Sequence, residues 1–227
     1  MLRSALAFEP SFTAIMEIHC AAVCFDLDGV LVDSTAQIDH VITRWAAAQG
    51  IDLSGLHAAA RSMTDREFVA EVAPHLDSTK EAAAIQRLEV ESAAGTRPLP
   101  GALRAYHGVP AAARAIVTSG ARPVVLARLA AAGIPAPTTL VTAEDVTHGK
   151  PHPQPYLDAV SRLGQPAGSC IALEDSHNGA RAAKLAGLTV VGVGTHDPGL
   201  AAASDHLVAD LSELAVTIGA GPAAVRC

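Results

Sequence analysis

Short apolar segments alternate with longer helical ones along most of the chain. Each short segment is apolar at successive positions and is bounded by glycine, proline or polar residues. This pattern is typical of parallel strands that helices cover on both faces. The candidate strands are 21–27, 113–120, 138–143, 170–176 and 188–194, with a weaker edge strand at 205–209. The candidate helices between them are 123–133, 154–164 and 177–187. The alternation predicts an α/β, doubly wound domain with a parallel sheet.

Residues 34–97 break this alternation, because they show consecutive helical patterns and no strand pattern. Ser34, Thr64 and Ser78 are each followed three residues later by Gln or Glu, which is the capping-box signature of a helix start. We therefore predict a small α-helical bundle inserted directly after the first strand. The stretch 96–101, with two prolines and a glycine, is the predicted return linker.

The remaining boundaries follow from this insertion. Residues 18–33 and 98–227 are predicted to form the core domain, and residues 1–17 a loosely held N-terminal extension. Met16 is an alternative start immediately before the first strand. The last residues, 219–227, are predicted to be a frayed tail.

Composition limits the classes of function. The chain has 227 residues, enough for one α/β domain and a modest insertion. Its formal net charge of −7 argues against nucleic acid as a partner, and no apolar run approaches the ~20 residues of a membrane span. Its four cysteines lack CxxC spacing, which favours buried thiols in a reducing, cytoplasmic location. An acidic protein with an anionic substrate needs a local positive site.

Polar residues follow several of the predicted strands, and ligands of open α/β sheets bind beyond the carboxyl ends of strands. Lys150 stands between Gly149 and Pro151, just before the helix at 154–164. The residues at the strand ends are Asp26, Asp28, Thr118, Ser119, Glu174 and Asp175. We expect these side chains and Lys150 to converge at one edge of the sheet.

The pair Asp26 and Asp28 points to phosphoryl transfer. If the segment is extended, the two carboxylates face the same side and raise each other's pKa unless a cation lies between them. Lys150 and a hard metal ion are the candidates, and oxygen-only ligation favours Mg²⁺ over zinc. Nearby hydroxyls and backbone N–H groups suit a phosphoryl group. Together these groups predict transfer through an aspartyl-phosphate.

Four sequence motifs resemble those of the haloacid dehalogenase-like hydrolase superfamily, in its sugar-phosphatase and β-phosphoglucomutase-like branch. They occur in order as FDLDGVLVDS (25–34), IVTSG (116–120), GKPHPQPY (149–156) and ALEDSHNGARAAKLAG (172–187). The resemblance implies a Rossmann-like core with a helical cap inserted after the first motif, in agreement with the helical block at 34–97.

The resemblance also implies a role for each matching residue. Asp26 is the expected nucleophile and Asp28 the general acid and base. Members with this second aspartate are phosphotransferases, so we set dehalogenation aside. The expected phosphate-binding residues are Thr118, Ser119 and Lys150. The expected Mg²⁺ ligands are Asp26, the Asp28 carbonyl, Asp175 and Glu174.

These expectations describe a Mg²⁺-dependent phosphatase that acts on a small phosphorylated metabolite, a sugar or polyol phosphate. Arg61 and Arg66 in the cap are candidate substrate contacts, although surface arginines are more often solvated. We expect a monomer or weak homodimer, with no nucleic acid and no membrane as partner. A phosphomutase is an alternative, against which Ile38 counts because mutase-type members carry a functional histidine there. A non-catalytic metabolite sensor is the other alternative.

Overall fold

The computed structural model describes residues 15–53, 63–194 and 197–226. In chain order the strands are β1 (Met16–Cys20), β2 (Ala22–Phe25), β3 (Val32–Asp33), β4 (Arg97–Pro98), β5 (Arg114–Val117), β6 (Thr139–Val141), β7 (Cys170–Glu174), β8 (Thr189–Val193), β9 (His206–Val208), β10 (Leu214–Ile218) and β11 (Ala224–Arg226). The helices are α1 (Thr35–Gln49), α2 (Asp65–Val72), α3 (Ser78–Ser92), α4 (Ala102–Gly108), α5 (Arg122–Ala131), α6 (Gln154–Leu163), α7 (His177–Leu185) and α8 (Leu200–Ala203). Within the described ranges, no helix is long and apolar enough to span a membrane.

The central sheet has six strands in the order β6-β5-β2-β7-β8-β9, and every neighbouring pair is parallel. Each of these strands lies inside a segment predicted from the apolar pattern, with β9 at the edge as expected. Val23 and Phe25 of β2 pack in one hydrophobic cluster, whereas Ala22 and Cys24 pack in a second cluster on the other face. Burial on both faces explains why these strands are continuously apolar. The α/β fold with a parallel sheet is confirmed.

A second, three-stranded sheet corrects the predictions for both ends of the chain. Strand β1 pairs in parallel with β10 and antiparallel with β11. Met16 and Glu17 therefore belong to a strand and not to a loose extension, and 224–226 pair with that strand and are not a frayed tail. The sequence signal was weak, because β1 buries only Ile18 and Cys20 and its partners lie nearly the whole chain length away.

The helical segment after the first motif has a hydrophobic core of its own. Helices α1, α2 and α3 pack around a cluster that includes Ile42, Trp45, Phe68 and Ile85. Among the described residues between 34 and 96, no strand occurs. The two connections to the core, β3 and β4, pair antiparallel with each other. The core and the helical segment are thus joined by one short two-stranded ladder.

Only one of the three predicted capping boxes forms. The Thr64 hydroxyl accepts from the Glu67 amide, and the Glu67 carboxylate accepts from the Thr64 amide, at the start of α2. Helix α3 is capped instead by Asp77, one residue earlier than predicted. Ser34 stands at the N-cap position of α1, but its side chain makes no capping hydrogen bond. Its hydroxyl donates to the Asp28 carboxylate instead.

Candidate active site

Asp26 lies immediately after the central strand β2. Its backbone N–H donates to the Leu173 carbonyl at 2.9 Å, so the main chain continues the sheet ladder at this residue. The side chain is buried, at 7% exposure, and its Oδ1 accepts from Lys150 Nζ at 2.8 Å. Burial raises the pKa of Asp26 well above its usual range, Lys150 opposes this shift, and the Glu174 carboxylate adds to it.

Lys150 connects three neighbouring strands of the central sheet, β5, β2 and β7. Besides Asp26, its Nζ donates to Glu174 Oε1 at 2.6 Å and to the Val117 carbonyl at 3.0 Å. Burial lowers the pKa of Lys150, but the Asp26 and Glu174 carboxylates outweigh burial and raise it overall. The lysine is therefore a buried, charged group between two carboxylates from neighbouring strands.

Glu174 and Asp175 lie at the carboxyl end of β7. Glu174 is fully buried, and its Oε1 also accepts a hydrogen bond from the Tyr156 hydroxyl. A Cβ at Gly179 would lie 2.0 Å from Glu174 Oε2, so the helix α7 approaches this carboxylate more closely than a larger residue would permit. Burial raises the pKa of Asp175 to about 7, the nearby Glu174 adds to the shift, and Lys150 opposes it.

Three carboxylates at this end of the site fit a divalent cation. Asp26, Glu174 and Asp175 each offer an oxygen atom within 4.8 Å of the others. Gly29 has a positive φ of 79°, and a Cβ there would lie 1.9 Å from Asp175 Oδ2. The loop after β2 can thus approach Asp175 only because residue 29 is glycine. Three carboxylates facing one lysine have the charge and the hard oxygen donors that Mg²⁺ requires.

The Asp28 carboxylate pairs with Arg128, whereas the Asp26 carboxylate pairs with Lys150. Both of its carboxylate oxygens accept from Arg128 Nη1, at 3.0 and 2.9 Å, and Oδ1 also accepts from Ser34 Oγ at 2.5 Å. The chain turns at Gly29 and returns, so that Asp28 forms an isolated bridge with Val32. Because the segment does not continue as a strand, the two aspartates acquire different partners.

Arg128 is a site residue that sequence reasoning missed. It is 2% exposed on α5 of the core, and its Nη2 donates at 2.7 Å to Glu89 on α3. Burial opposes ionisation of Arg128, but Asp28 and Glu89 raise its pKa overall. A usable signal existed, because Arg128 is the one charged residue in the otherwise apolar segment 123–133. Such a residue needs a charged partner if it is buried.

Five of the seven predicted core residues line one pocket, whereas Glu174 and Asp175 are not among its lining residues. Thr118 is buried directly after β5, and its Oγ1 accepts from the Gly120 amide at 3.1 Å. Two acidic residues that we did not predict, Asp65 and Glu89, also line this pocket. The lining residues are Asp26, Asp28, Ile38, Ile42, Met63, Asp65, Glu89, Thr118, Ser119, Gly120, Arg128, Lys150 and Ser176.

The structure describes only one of the two candidate arginines of the cap. Arg61 lies outside the described residues. Arg66 is exposed on α2 and lines a separate groove with Glu144 and Thr147, not the pocket at Asp26. A substrate contact by either arginine stays a prediction.

With this geometry established, comparison with known proteins identifies the class. Residues 20–187 match the family model of the haloacid dehalogenase-like hydrolases. The chain belongs to this hydrolase family, and the resemblance seen in its four motifs is confirmed. Crystal structures share the fold: CbbY from Rhodobacter sphaeroides in complex with phosphate superposes with a TM-score of 0.76 at 26% identity, over 86% of this chain and 96% of that one.

Two relatives illustrate the branch of the family. The chain is 35% identical to hexitol phosphatase A of Escherichia coli, over 78% of this chain and 84% of the relative. It is 32% identical to validoxylamine A 7'-phosphate phosphatase of Streptomyces hygroscopicus subsp. limoneus, over 84% of this chain and 93% of the relative. The similarity covers core and helical cap alike, and both relatives are named as phosphatases.

Proposed function

We propose that this protein is a Mg²⁺-dependent phosphoric monoester hydrolase that acts on a small sugar or polyol phosphate. The observation that carries the proposal is the buried Asp26 carboxylate, held 2.8 Å from Lys150 in one pocket with Thr118 and the Ser119–Gly120 backbone. This arrangement places a nucleophile beside hydrogen-bond donors for a phosphoryl group. The phosphatase names of the two full-length relatives support the same chemistry.

In the proposed reaction, a carboxylate oxygen of Asp26 attacks phosphorus, and the bond from phosphorus to the ester oxygen breaks. Asp28, in its protonated form, gives its proton to the leaving alkoxide. The Asp28 carboxylate then takes a proton from water, which attacks phosphorus and releases phosphate from Asp26. Lys150 offsets the negative charge of Asp26 and the phosphoryl oxygens throughout.

The proposed Mg²⁺ ligands are Asp26, Asp175, the Asp28 carbonyl and Glu174. When bound there, Mg²⁺ supplies positive charge that draws the carboxylate and phosphoryl oxygens together. Glu174 is the least favoured of these ligands, because its Oε1 already accepts hydrogen bonds from Lys150 and Tyr156. Only its Oε2, which accepts from Ser176 Oγ at 3.4 Å, has capacity for a further partner.

Hydrolysis is favoured over the phosphomutase alternative by the cap side of the pocket. Ile38 is buried and lines the pocket at the position where mutase-type members carry a functional histidine. Its side chain has no group that carries a proton to or from a second sugar hydroxyl. We expect free phosphate release without a bisphosphate activator.

The location and the cap movement are also proposals. The buried thiols of Cys20, Cys24 and Cys170 are free, which is consistent with a reducing, cytoplasmic location. We expect the helical cap to open for substrate entry, with β3 and β4 as the hinge segments. The monomer or weak homodimer stays a prediction.

Phosphate release from a panel of sugar, polyol and glycolate phosphates, with and without Mg²⁺, tests the proposal. We expect metal-dependent release by the wild type and loss of release in Asp26→Asn. Asp158→Asn on α6, outside the pocket, is the control and retains activity. Release by Asp26→Asn at the wild-type rate would exclude Asp26 as the nucleophile. No release from any ester by the wild type would favour a mutase or a sensor.

A further inference from the structure

The pocket at Asp26 has a cap-side wall, which we define as Asp65 on α2, Glu89 on α3 and Arg128 on α5. All three residues line the same cavity as Asp26 and Lys150. Arg128 and Glu89 are almost fully buried and are joined by a 2.7 Å ion pair. This wall is the part of the pocket that the portion of a substrate remote from its phosphate would meet.

The wall carries no unpaired positive charge. Arg128 is matched by a carboxylate on each side, since it binds Asp28 through Nη1 and Glu89 through Nη2. Asp65 adds a third carboxyl group, which is hydrogen-bonded to Gln86. Burial raises the pKa of Asp65 to about 8, and Glu89 adds to the shift. With Asp65 protonated, Glu89 and Arg128 form a neutral pair, and the wall keeps no unpaired positive charge.

The same holds for the whole pocket, since the lining residues that the structure describes include no unmatched cation. Lys150 is engaged by Asp26 and Glu174, and Arg128 by Asp28 and Glu89. A hydroxyl group can donate a hydrogen bond to either wall carboxyl, and such bonds to an ionised acceptor are strong. A carboxylate or a second phosphate would be desolvated beside the Glu89 carboxylate without an unpaired cation to offset its charge, which is unfavourable.

We propose that the cap-side wall selects neutral, polyhydroxylated phosphate monoesters and rejects esters that carry a second anionic group. The inference rests on the proposed phosphatase function and narrows its substrate class. It makes Glu89 and Asp65 specificity-determining residues, which hydrogen-bond hydroxyls far from the reacting phosphorus.

A matched pair of esters tests the inference. Glucitol 6-phosphate and 6-phosphogluconate share one carbon chain and one phosphate, and they differ only in a terminal CH₂OH or carboxylate. We expect the wild-type kcat/KM to favour glucitol 6-phosphate by about tenfold or more. Glu89→Gln removes one charge with little change of shape, and we expect it to reduce this ratio by about tenfold. Asp65→Asn is a second variant that should shift the ratio in the same direction.

The informative quantity is the ratio of the two kcat/KM values. Both esters undergo the same phosphoryl transfer, so a change that acts through Asp26 or Asp28 lowers both values equally and leaves their ratio unchanged. Glu91→Gln is the matched control, since Glu91 is an exposed carboxylate on the same helix α3. We expect its ratio to equal that of the wild type. Dissociation constants of both esters for Asp26→Asn give a readout that is independent of turnover.

The outcomes separate the two proposals. Equal kcat/KM values for both esters in the wild type would overturn the inference and leave the phosphatase intact. Wild-type selectivity that persists in both Glu89→Gln and Asp65→Asn would also overturn it. Phosphate release from no ester at all would overturn the proposed function and this inference with it.

Discussion

Two buried cations organise this site, and they differ in what they connect. Lys150 bridges Asp26 and Glu174, and both partners stand at the ends of strands in the central sheet. Arg128 bridges Asp28 and Glu89, of which the first belongs to the core and the second to the helical cap. Each cation thus pairs with two carboxylates, but only Arg128 spans the boundary between core and cap.

The core and the cap therefore hold different groups of the site. The proposed nucleophile, its lysine and the candidate metal-binding carboxylates all belong to the core. The proposed acid and base, Asp28, is held by an arginine whose second partner, Glu89, belongs to the cap. We therefore expect the steps that need proton transfer at Asp28 to be sensitive to the position of the cap.

Removal of Lys150 should produce the largest effect, because it breaks the core assembly. In Lys150→Met, three carboxylates lose the buried cation beside them. We expect a fall in kcat/KM on the order of 10³-fold and a loss of stability of about 3–5 kcal/mol. Phosphate release and urea unfolding measure the two effects.

Lys184→Met is the matched control for this prediction. Lys184 forms an ion pair with Asp205 at 2.8 Å, but its side chain is 42% exposed. An exposed pair contributes about 0–1 kcal/mol, so the control should lose little stability and no activity. A Lys150 variant as active as this control would refute the role of Lys150.

Removal of Arg128 should have a smaller effect that depends on the leaving group. Arg128→Leu leaves Asp28 without the guanidinium that fixes it, and we expect kcat/KM on an alkyl phosphate to fall on the order of 10–100-fold. With p-nitrophenyl phosphate the fall should be much smaller, because its leaving group needs no proton. Phosphate release from both esters measures this dependence on the leaving group.

Arg162→Leu controls for the loss of an arginine on a core helix, since Arg162 pairs with Asp145 at 3.1 Å and is 41% exposed. Equal losses on both esters in Arg128→Leu would indicate general damage to the site and would contradict a positioning role at Asp28.

A substitution at Gly29 should weaken the metal site specifically. An alanine Cβ there would lie 1.9 Å from Asp175 Oδ2, so Asp175 must move. We expect Gly29→Ala to raise the Mg²⁺ concentration needed for half-maximal activity by about tenfold. Gly50→Ala separates this effect from backbone strain, because Gly50 also has a positive φ (69°) but no atom within 4 Å of a new Cβ. An unchanged Mg²⁺ requirement in Gly29→Ala would argue against Asp175 as a ligand.

The core half of the site was predictable from sequence, whereas the cap half was not. Asp26 and Thr118 directly follow apolar strands and Glu174 is the last residue of one, and a parallel sheet brings the carboxyl ends of its strands together. No comparable rule predicts which side chains of two packed helices meet. Whether Arg128 meets Glu89 depends on the rotation and crossing of α5 and α3, which the sequence pattern does not specify.

The same limit applies to the sharing of a cation by Asp26 and Asp28. Their spacing predicted a common partner only if the chain stayed extended. The turn at Gly29, whose φ is 79°, gives each aspartate its own cation. A glycine after the second aspartate was visible in the sequence, but the direction of the turn was not.

The smallest expected effect is a pH dependence that reports on the cap-side wall. Burial raises the pKa of Asp65 from 3.8 to about 8, Glu89 and Glu144 add to the shift, and Gln86 and Arg128 oppose it. The folded protein therefore keeps a proton that the unfolded chain releases above pH 4, so this contribution to stability is complete below pH 4 and is lost as pH rises through 8. We expect the free energy of unfolding to fall between about pH 4 and 8, by no more than about 1.4 kcal/mol per pH unit for this one proton. Asp65→Asn should flatten this decline, while Glu91→Gln should leave it unchanged. If the free energy of unfolding of Asp65→Asn declined with the same slope, the proton would belong to another group. Asp65 in the cap-side wall would then be charged at neutral pH.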